Sequence, residues 1–582
     1  MEKVNLDIEQ IENLNEIFKY IVIFIIMVCL FSIIRNFLKK NEKCLVKINK
    51  FKEIKYKIIE KYFKKENLKI RRKLIYLVLI VVAGLAIFTR FYKIDTLLNG
   101  LHVDETGMAY DAFSIANYGV DRYLNKFPVY MINFGGGQSA LYTYLSAIAI
   151  KFLGLNILSI RLPGIVLSLF AIFMGFLLIK KNYGGKWAIV FMLLMIVCPW
   201  HVMQSRFGLD CNLLSSMIMI SIVLLLISKK HWHYFVTGIF FGLTLYTYAL
   251  SYIILPIFLS LTLIYMLYTK RIKFFDVVLL GVPILIFAIP LILMLLVNMG
   301  YIEQINSFIT IPKMFSYRGG EISFENIWEN LKVFKTIVTS DGFIYNSIPE
   351  FGTIYLFAIP LMYGGMIIAI IETIKNIVKR KFSISAIFMF LFIANIILMC
   401  LTGVNVNKIN SIYISLLYFI FIMIRFAYRH FKLGFVTICI MYLIMSILFF
   451  EYYFNDYNNE NSIIGLVDKN MVSLVQEIES LNSDKNIYLE INTHQPWIYV
   501  LYSLEMSPYE FNENKSDDSK ENWNNMYNVG RYHFELPETL EEGVYVFEKG
   551  IEESDEQETF KDELVSDGYK LKDYGNYEIY YL

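Results

Sequence analysis

Charge is what this chain has least of. Only 18% of its 582 residues are Asp, Glu, Lys or Arg, against 56% hydrophobic, and mean hydropathy is +0.49. That balance excludes an ordinary soluble protein. Cysteine is scarce too. The six (Cys29, Cys44, Cys198, Cys211, Cys400, Cys439) show no CxxC or metal-ligand spacing, so no disulfide framework is expected. The acidic start "MEKVNLDIEQIENLNE" lacks the basic region of a cleavable signal peptide. "NFGGGQSALY" has three consecutive glycines, Gly135 to Gly137, but no Lys-Ser/Thr after them. A Walker phosphate loop is thereby excluded, and a flexible turn suffices.

What is abundant is apolar sequence in runs of near-bilayer length, the signature of a polytopic membrane protein. Twelve spans are expected near 17–34, 74–90, 157–180, 187–200, 211–228, 234–250, 252–268, 275–298, 351–375, 382–402, 411–425 and 433–450. The basic stretches "LKKNEK…KIRRK", "KKNYGGK", "KKHWH", "KRIK", "KNIVKRK" and "RFAYRHFK" fall between successive pairs of these spans. All land on one side if twelve spans cross, which the positive-inside rule makes cytoplasmic, with both termini outside. "QSALYTYLSAIAIKFLG" (138–154) is apolar but short. Counting it as a crossing would put every later basic loop on the wrong side, so an interfacial or re-entrant helix is expected there.

The net charge of +2 hides an asymmetry. Residues 452–582 hold 28 acidic against 9 basic residues, while Arg35–Lys73 holds 16 basic against 4 acidic. The basic stretch reads as a cytoplasmic loop skimming anionic headgroups rather than a nucleic-acid site. The acidic tail mixes helical ("MVSLVQEIESLN", "ETFKDELVSDGY") and strand-like segments ("NIYLEIN", "GVYVFEK", "NYEIYYL"). That predicts a small α/β or α+β extracytoplasmic domain. Three parts follow: an extra N-terminal helix with its basic loop (1–73), a transmembrane module (74–450) and an acidic soluble domain (451–582).

With that topology, ionisable groups gather at the outer rim, where charge at membrane depth marks a functional cavity. "NGLHVDETGMAYDAFSIANYG" places Asp104 and Glu105 just after a span. Asp104 reads as the cap of the following helix, with Glu105 in its first turn. A carboxylate in a partly dry site is also a candidate general base. Asp111, two turns on, shares the face of Asp104. A divalent-metal site from Asp104, Glu105 and Asp111 is the less favoured alternative, because adjacent residues point apart on a helix; no cofactor is expected. "WHVMQSRFGLDCN" adds His201, Arg206 and Asp210. The i, i+4 spacing of Arg206 and Asp210 fits a salt bridge, and Arg206 alternatively binds a phosphate. His201 reads as an interfacial hydrogen-bonding residue. Arg161 either snorkels or contacts an anionic headgroup. "NVNKIN" offers Asn407, Lys408 and Asn410 to a phosphate or sugar hydroxyls, while Tyr246 and Tyr248 suit an aromatic belt or a stacking platform for a sugar.

These stretches, with "GGGQSALYTYLSAIAIKFLG", "SIRLPGIVLSL" and "CPWHVMQSRFGLDCN", resemble the GT-C glycosyltransferases of the protein O-mannosyltransferase and lipid A aminoarabinose transferase type (glycosyltransferase family 39-like). The resemblance runs from about Leu74 to Phe450. It implies inverting transfer of a sugar, hexose or pentose, from a polyprenyl-phosphate donor to an outer-face protein, glycolipid or wall polymer. It also implies Asp104 as the catalytic carboxylate, Glu105 in support, and Arg206 and Asp210 lining the cavity. Aminoarabinose transferases carry a lysine where this chain has Gln138, so the donor phosphate needs another cation: Arg206, Arg161 or Lys408. The competing readings are a lipid or polysaccharide transporter or flippase, and a membrane scaffold. Transporters place ionisable groups near the bilayer midplane and carry internal repeats, neither of which is evident here.

Overall fold

The computed structural model describes residues 8–40, 66–98, 100–134, 136–315, 327–459, 469–481, 484–516, 526–549 and 555–582. Most of the basic stretch 35–73, at 41–65, lies outside these residues, as does Gly135. Helices dominate as far as Asn455. In order they are α1 (Ile8–Lys40), α2 (Glu66–Phe91), α3 (Val103–Tyr118), the hairpin β1 (Tyr130–Asn133) and β2 (Gly136–Ser139), α4 (Ala140–Leu153), α5 (Ile157–Tyr183), α6 (Gly185–Val197), α7 (Pro199–Ser205), α8 (Asn212–Ile227), α9 (His231–Leu245), α10 (Ser251–Tyr268), α11 (Phe274–Asn298), a short pair β3 (Ile305–Asn306) and β4 (Thr310–Ile311), α12 (Ile327–Val338), α13 (Ile359–Val378), α14 (Ile384–Leu401), α15 (Ile412–His430) and α16 (Lys432–Asn455).

Each of the twelve expected spans coincides with a helix, but the helices differ in length. Among the described residues eight are long and apolar enough to cross a membrane, or nine if the bent pair α6–α7 is one span. Of the other four, α6 counts only together with α7, the apolar part of α2 is Ile75–Phe91, α8 has 16 residues and α9 has 15. At 1.5 Å per residue such helices fall short of the roughly 30 Å hydrocarbon core. The chain is a polytopic helical membrane protein.

Two local features shape one end of the bundle. Cys198 is extended before Pro199, which opens α7 at its first position, and the axis bends by 63° there. Proline disfavours a helical residue before it and suits the first turn after it, so the bend is written in the sequence. The α4 segment, expected to be interfacial, keeps both ends at this same end. Its Leu141 amide donates to the Tyr246 carbonyl at 3.0 Å, and Ser146 Oγ donates to the Ile160 carbonyl at 3.3 Å, just inside α5. Phe152, near its close, is 83% exposed, as suits a residue facing lipid.

The basic loops meet at the opposite end. Lys181 and Arg271 both donate to the Leu226 carbonyl, Tyr265 donates to the Lys381 carbonyl, and Lys186 lies over the Tyr428 ring. The start of α1 sits at the α4 end, where Asn15 donates to the Glu350 carbonyl at 2.7 Å.

The tail adds α17 (Lys469–Ser480), β5 (Asn486–Glu490), α18 (Pro496–Leu504), α19 (Pro508–Asn514), β6 (Asn528–Val529), β7 (Tyr532–His533), β8 (Gly543–Glu548), α20 (Asp555–Ser566), β9 (Lys570–Tyr574) and β10 (Tyr577–Tyr581). Its mixed sheet runs β6-β7-β5-β8-β10-β9, with β5 parallel to both β7 and β8 and the other pairs antiparallel. Trp497, Ile498, Val500 and Leu501 of α18 share one buried cluster with Met108, Tyr110 and Phe113 of α3. Tyr499 reinforces the contact by donating to the Leu101 carbonyl at 3.0 Å. The tail therefore covers the α4 end of the bundle.

Close helix packing gives a direct test. A Cβ on Gly365 of α13 would lie 1.8 Å from the Phe419 carbonyl oxygen of α15, whereas one on Gly84 of α2 meets nothing within 4 Å. Gly365→Ala is expected to lower the melting temperature of the detergent-solubilised protein, overpacking costing about 1–3 kcal/mol. Gly84→Ala should not.

Candidate functional site

The site is built around the first turn of α3. The cap is His102, not Asp104: its backbone is extended and its Nδ1 accepts from the Asp104 amide at 3.1 Å. Glu105 returns the favour, Oε2 accepting from the His102 amide at 3.4 Å. This is a capping box with His in the place of Ser or Thr. Because neighbours on a helix point apart, the two carboxylates part company. The Asp104 side chain is 43% exposed and that of Glu105 is 0%.

Glu105 is consumed by the protein. It forms a bidentate pair with Arg161 of α5 (Nε to Oε1 3.0 Å, Nη2 to Oε2 3.1 Å) and accepts from the Gly208 amide at 2.6 Å. Arg161 spends its remaining N–H groups on the Ile94, Leu97 and Gly100 carbonyls. It neither snorkels nor faces a headgroup, as the sequence suggested. All five donors of its guanidinium fork are satisfied inside a fully buried site. Asp111 is likewise taken, by a residue the sequence reading missed. Arg122 donates to it through Nε (2.9 Å) and Nη2 (2.8 Å), and both side chains are buried. Asp104, Glu105 and Asp111 thus face three different surroundings and do not converge as metal ligands. Among the described residues no group of three His, Cys, Asp or Glu is placed to hold a metal ion.

The Arg206–Asp210 pair expected from i, i+4 spacing does not form, because α7 ends at Ser205 and the chain turns. Arg206 instead donates to the carbonyls of Thr89, Arg90 and Lys93, capping the C-terminus of α2, and stacks near Tyr453 and Phe454. His201 is buried rather than interfacial, its Nδ1 2.7 Å from Nη2 of Arg90. Asp210 accepts from the Ser139 amide (2.8 Å) and the Cys211 amide (2.7 Å). Burial pushes its carboxyl up to about 7, and the charge of Asp104 pushes the same way.

Asp104 keeps an open carboxylate. Oδ1 accepts from Asn133 Nδ2 at 3.2 Å, and Oδ2 stands 3.7 Å from His102 Nδ1. That nitrogen already accepts from the Asp104 amide, so it offers Oδ2 no proton. An aromatic wall stands alongside. Tyr345 lies 5.4 Å from the Phe207 ring and 5.9 Å from His102, close enough to feel the Asp104 charge. The remaining expected residues are spread around this centre. Gln138 pairs with Met131 in the β1–β2 hairpin, its side chain buried. Tyr246 donates to the Phe287 carbonyl within the bundle, and Tyr248 is half-buried against the core. Asn407 accepts from Gln204 at 3.5 Å. Asn410 is buried and donates to the Cys211 carbonyl. Lys408 donates to the Gly403 carbonyl on a part-exposed loop.

Below the bend between α6 and α7, an apolar crevice of about 450 Å³ runs between α2, α6, α15 and α16. Leu85, Val197 and Phe450 line it toward the α4 end, Ile424 and Ile438 toward the other, with Leu443 of α16 between.

No protein-family model matches the chain, and no curated protein does. Among solved structures, ArnT from Cupriavidus metallidurans in the apo state is similar over 88% of this chain and 98% of its own (9% identity, TM-score 0.51). The same protein bound to undecaprenyl phosphate matches at 9% identity and a TM-score of 0.49, covering 86% of this chain and 97% of that one. The Archaeoglobus fulgidus oligosaccharyltransferase in complex with Zn and sulfate matches at 13% identity and 0.43, covering 73% and 61%. The apo ArnT likeness establishes a shared fold.

The buried carboxyl of Asp210 carries a pH signature. It titrates near 7 when folded, against 3.8 for a free side chain, so the native state holds the proton more tightly. Its contribution is full below about pH 4 and is lost as pH rises toward about 7. The melting temperature should therefore fall across that window, and Asp210→Asn should flatten the decline.

Proposed function

We propose that this chain, with its GT-C fold, moves a sugar from a polyprenyl-phosphate donor to an acceptor at the extracytoplasmic face, with inversion and with Asp104 as general base. The observation that carries this is the divergence of three carboxylates. Glu105 and Asp111 are locked to arginines, while Asp104 keeps Oδ2 unclaimed at the α4 end of the bundle. The positive-inside rule supports placing that end, the tail and the start of α1 outside, since the basic loops meet at the other end. A twelve-crossing count and the three-part division at 73 and 450 belong to this same reading.

The chemistry is a single displacement. Asp104 takes the proton of the acceptor hydroxyl or amine, and the freed lone pair attacks the anomeric carbon. The bond from that carbon to the phosphate oxygen breaks, and its electron pair leaves with the polyprenyl phosphate. A base within hydrogen-bonding reach contributes roughly 10²–10⁴-fold to such a step. The leaving phosphate calls for a cation. Arg161 and Arg206, two of the three considered, are sealed under backbone carbonyls. Lys408 stands on a part-exposed loop tied through Asn407 to Gln204, and it takes this role. The rings of Tyr345, Phe207 and His102 supply a dry wall for the reacting sugar. The isoprenoid chain is assigned to the crevice along α16. Placement of the carboxylates at one end rather than at mid-membrane speaks against a transporter.

Asp104→Asn should leave the melting temperature near that of the parent and abolish transfer, read as loss of the modified surface glycan by mass spectrometry of cells carrying only the variant. Survival of the glycan would refute the base, and loss of transfer on adding a chelator would refute the metal-free mechanism. Leu443→Trp, which fills the crevice, should weaken transfer from a long-chain donor while sparing a short-chain analogue. Equal effects on both would remove the crevice from the donor path.

A further inference from the structure

The Asp104 carboxylate is aimed by a chain of contacts that starts in the buried interior. Arg122 is fully buried and pinned by four contacts. Nε and Nη2 reach Asp111, its own amide donates to Asp111 Oδ1 at 3.1 Å, and Nη2 also donates to the Gly107 carbonyl. Its guanidinium carbon lies 5.6 Å from the Phe134 ring and 5.8 Å from that of Trp497 in the tail. Asn512, also in the tail, donates to the Arg122 carbonyl at 2.7 Å.

From that anchor Nη2 donates to Asn133 Oδ1 at 3.3 Å. Arginine can only donate, so the oxygen of the Asn133 amide must face it. The NH2 group is thereby turned toward Asp104, which accepts from it at 3.2 Å. The orientation of an amide, ordinarily ambiguous, is here dictated by its neighbour. Steric evidence agrees. A Cβ on Gly107 would lie 2.5 Å from Asn133 Oδ1 and 2.8 Å from Arg122 Nη2, so this approach needs glycine at that position.

We infer that Asn133, oriented by Arg122, is a positioning residue that holds one oxygen of Asp104 and turns the other toward the acceptor. The inference rests on the reading of Asp104 as the base. Neither Asn133 nor Arg122 touches the reacting atoms; both act through Asp104. Misplacing a catalytic group by about 1 Å costs on the order of 100-fold in rate.

Asn133→Asp is the decisive variant. It keeps the shape and strengthens the contact to Arg122, but offers Asp104 an acceptor instead of a donor. Asn133→Ala removes the contact altogether, and Gly107→Ala displaces Asn133 without altering it. Surface-glycan occupancy would be measured in cells where each variant replaces the native chain. Binding of undecaprenyl phosphate and melting temperature would be measured on the purified proteins. Asn133→Asp and Asn133→Ala should lower occupancy by about 10- to 100-fold while leaving undecaprenyl phosphate affinity within about twofold. Their melting temperatures should match the parent. A merely structural role predicts that Asn133→Asp is tolerated, or that melting temperature and lipid affinity fall together with occupancy; either result overturns the inference. Parental occupancy in Asn133→Asp together with none in Asp104→Asn would remove the positioning role and leave the base standing. Parental occupancy in Asp104→Asn would remove both.

Discussion

The buried pair between Glu105 and Arg161 is the joint that holds the α4 end of the bundle together. Burying two charges is costly, and their attraction offsets that cost only where geometry is good and the remaining hydrogen-bonding groups are satisfied. Both conditions hold. The contact is bidentate, the three further N–H groups of Arg161 each find a carbonyl, and Glu105 also takes the Gly208 amide. One pair thereby ties four segments together: the first turn of α3, the start of α5, the chain leaving α2, and the loop after α7. Gly208 belongs to it sterically, since a Cβ there would come within 2.8 Å of Glu105 Oε1. With Glu105 fixed inward, the residue before it on the helix has to point elsewhere. The exposure of Asp104 is a consequence of the burial of Glu105.

The same device recurs. Arg90 donates to the Met195 and Ile196 carbonyls at the close of α6, and Arg206 to carbonyls at the close of α2. Helix ends leave carbonyls without partners, and near a membrane water is a poor substitute. A planar fork of five donors serves several such acceptors at once, which a lysine ammonium does less well. This accounts for arginines buried at the membrane edge in a chain so sparing of charge. It also explains why two of the cations most inviting as phosphate ligands are sealed away.

Much of the scaffold was legible in the sequence because hydrophobic run length and basic-loop placement are strong, redundant signals. The α4 helix was expected from its short apolar run, whereas the bend at Pro199 inside the expected span 187–200 was not. In the tail, the strands at "NIYLEIN", "GVYVFEK" and "NYEIYYL" were read from alternation. The helix "PWIYVLYSL" escaped, since a nine-residue apolar run gives no clear period. The site was legible only in part. Asp104 and Glu105 look alike on paper, and nothing local says which turns inward; that is decided by Arg161, 56 positions on. The i, i+4 rule failed for Arg206 and Asp210 because it presumes a helix that stops at Ser205. Arg122 and Asn133 carried no motif. The one available sign was Gly107 within "DETGMAYD", a glycine inside a helix that has to admit a close neighbour.

The acidic tail is tied into the site more closely than a separate domain need be. Its α18 shares a core with α3, Trp497 lies against Arg122, and Tyr110 of α3 donates to the Met506 carbonyl. Each of these contacts lands on the helix that carries Asp104 or on the arginine behind it. Loosening the tail would remove the Asn512 and Trp497 contacts from Arg122 before it disturbed the distant membrane helices, while those to Asp111 and Gly107 would stay. The tail thus braces from behind the turn that presents Asp104.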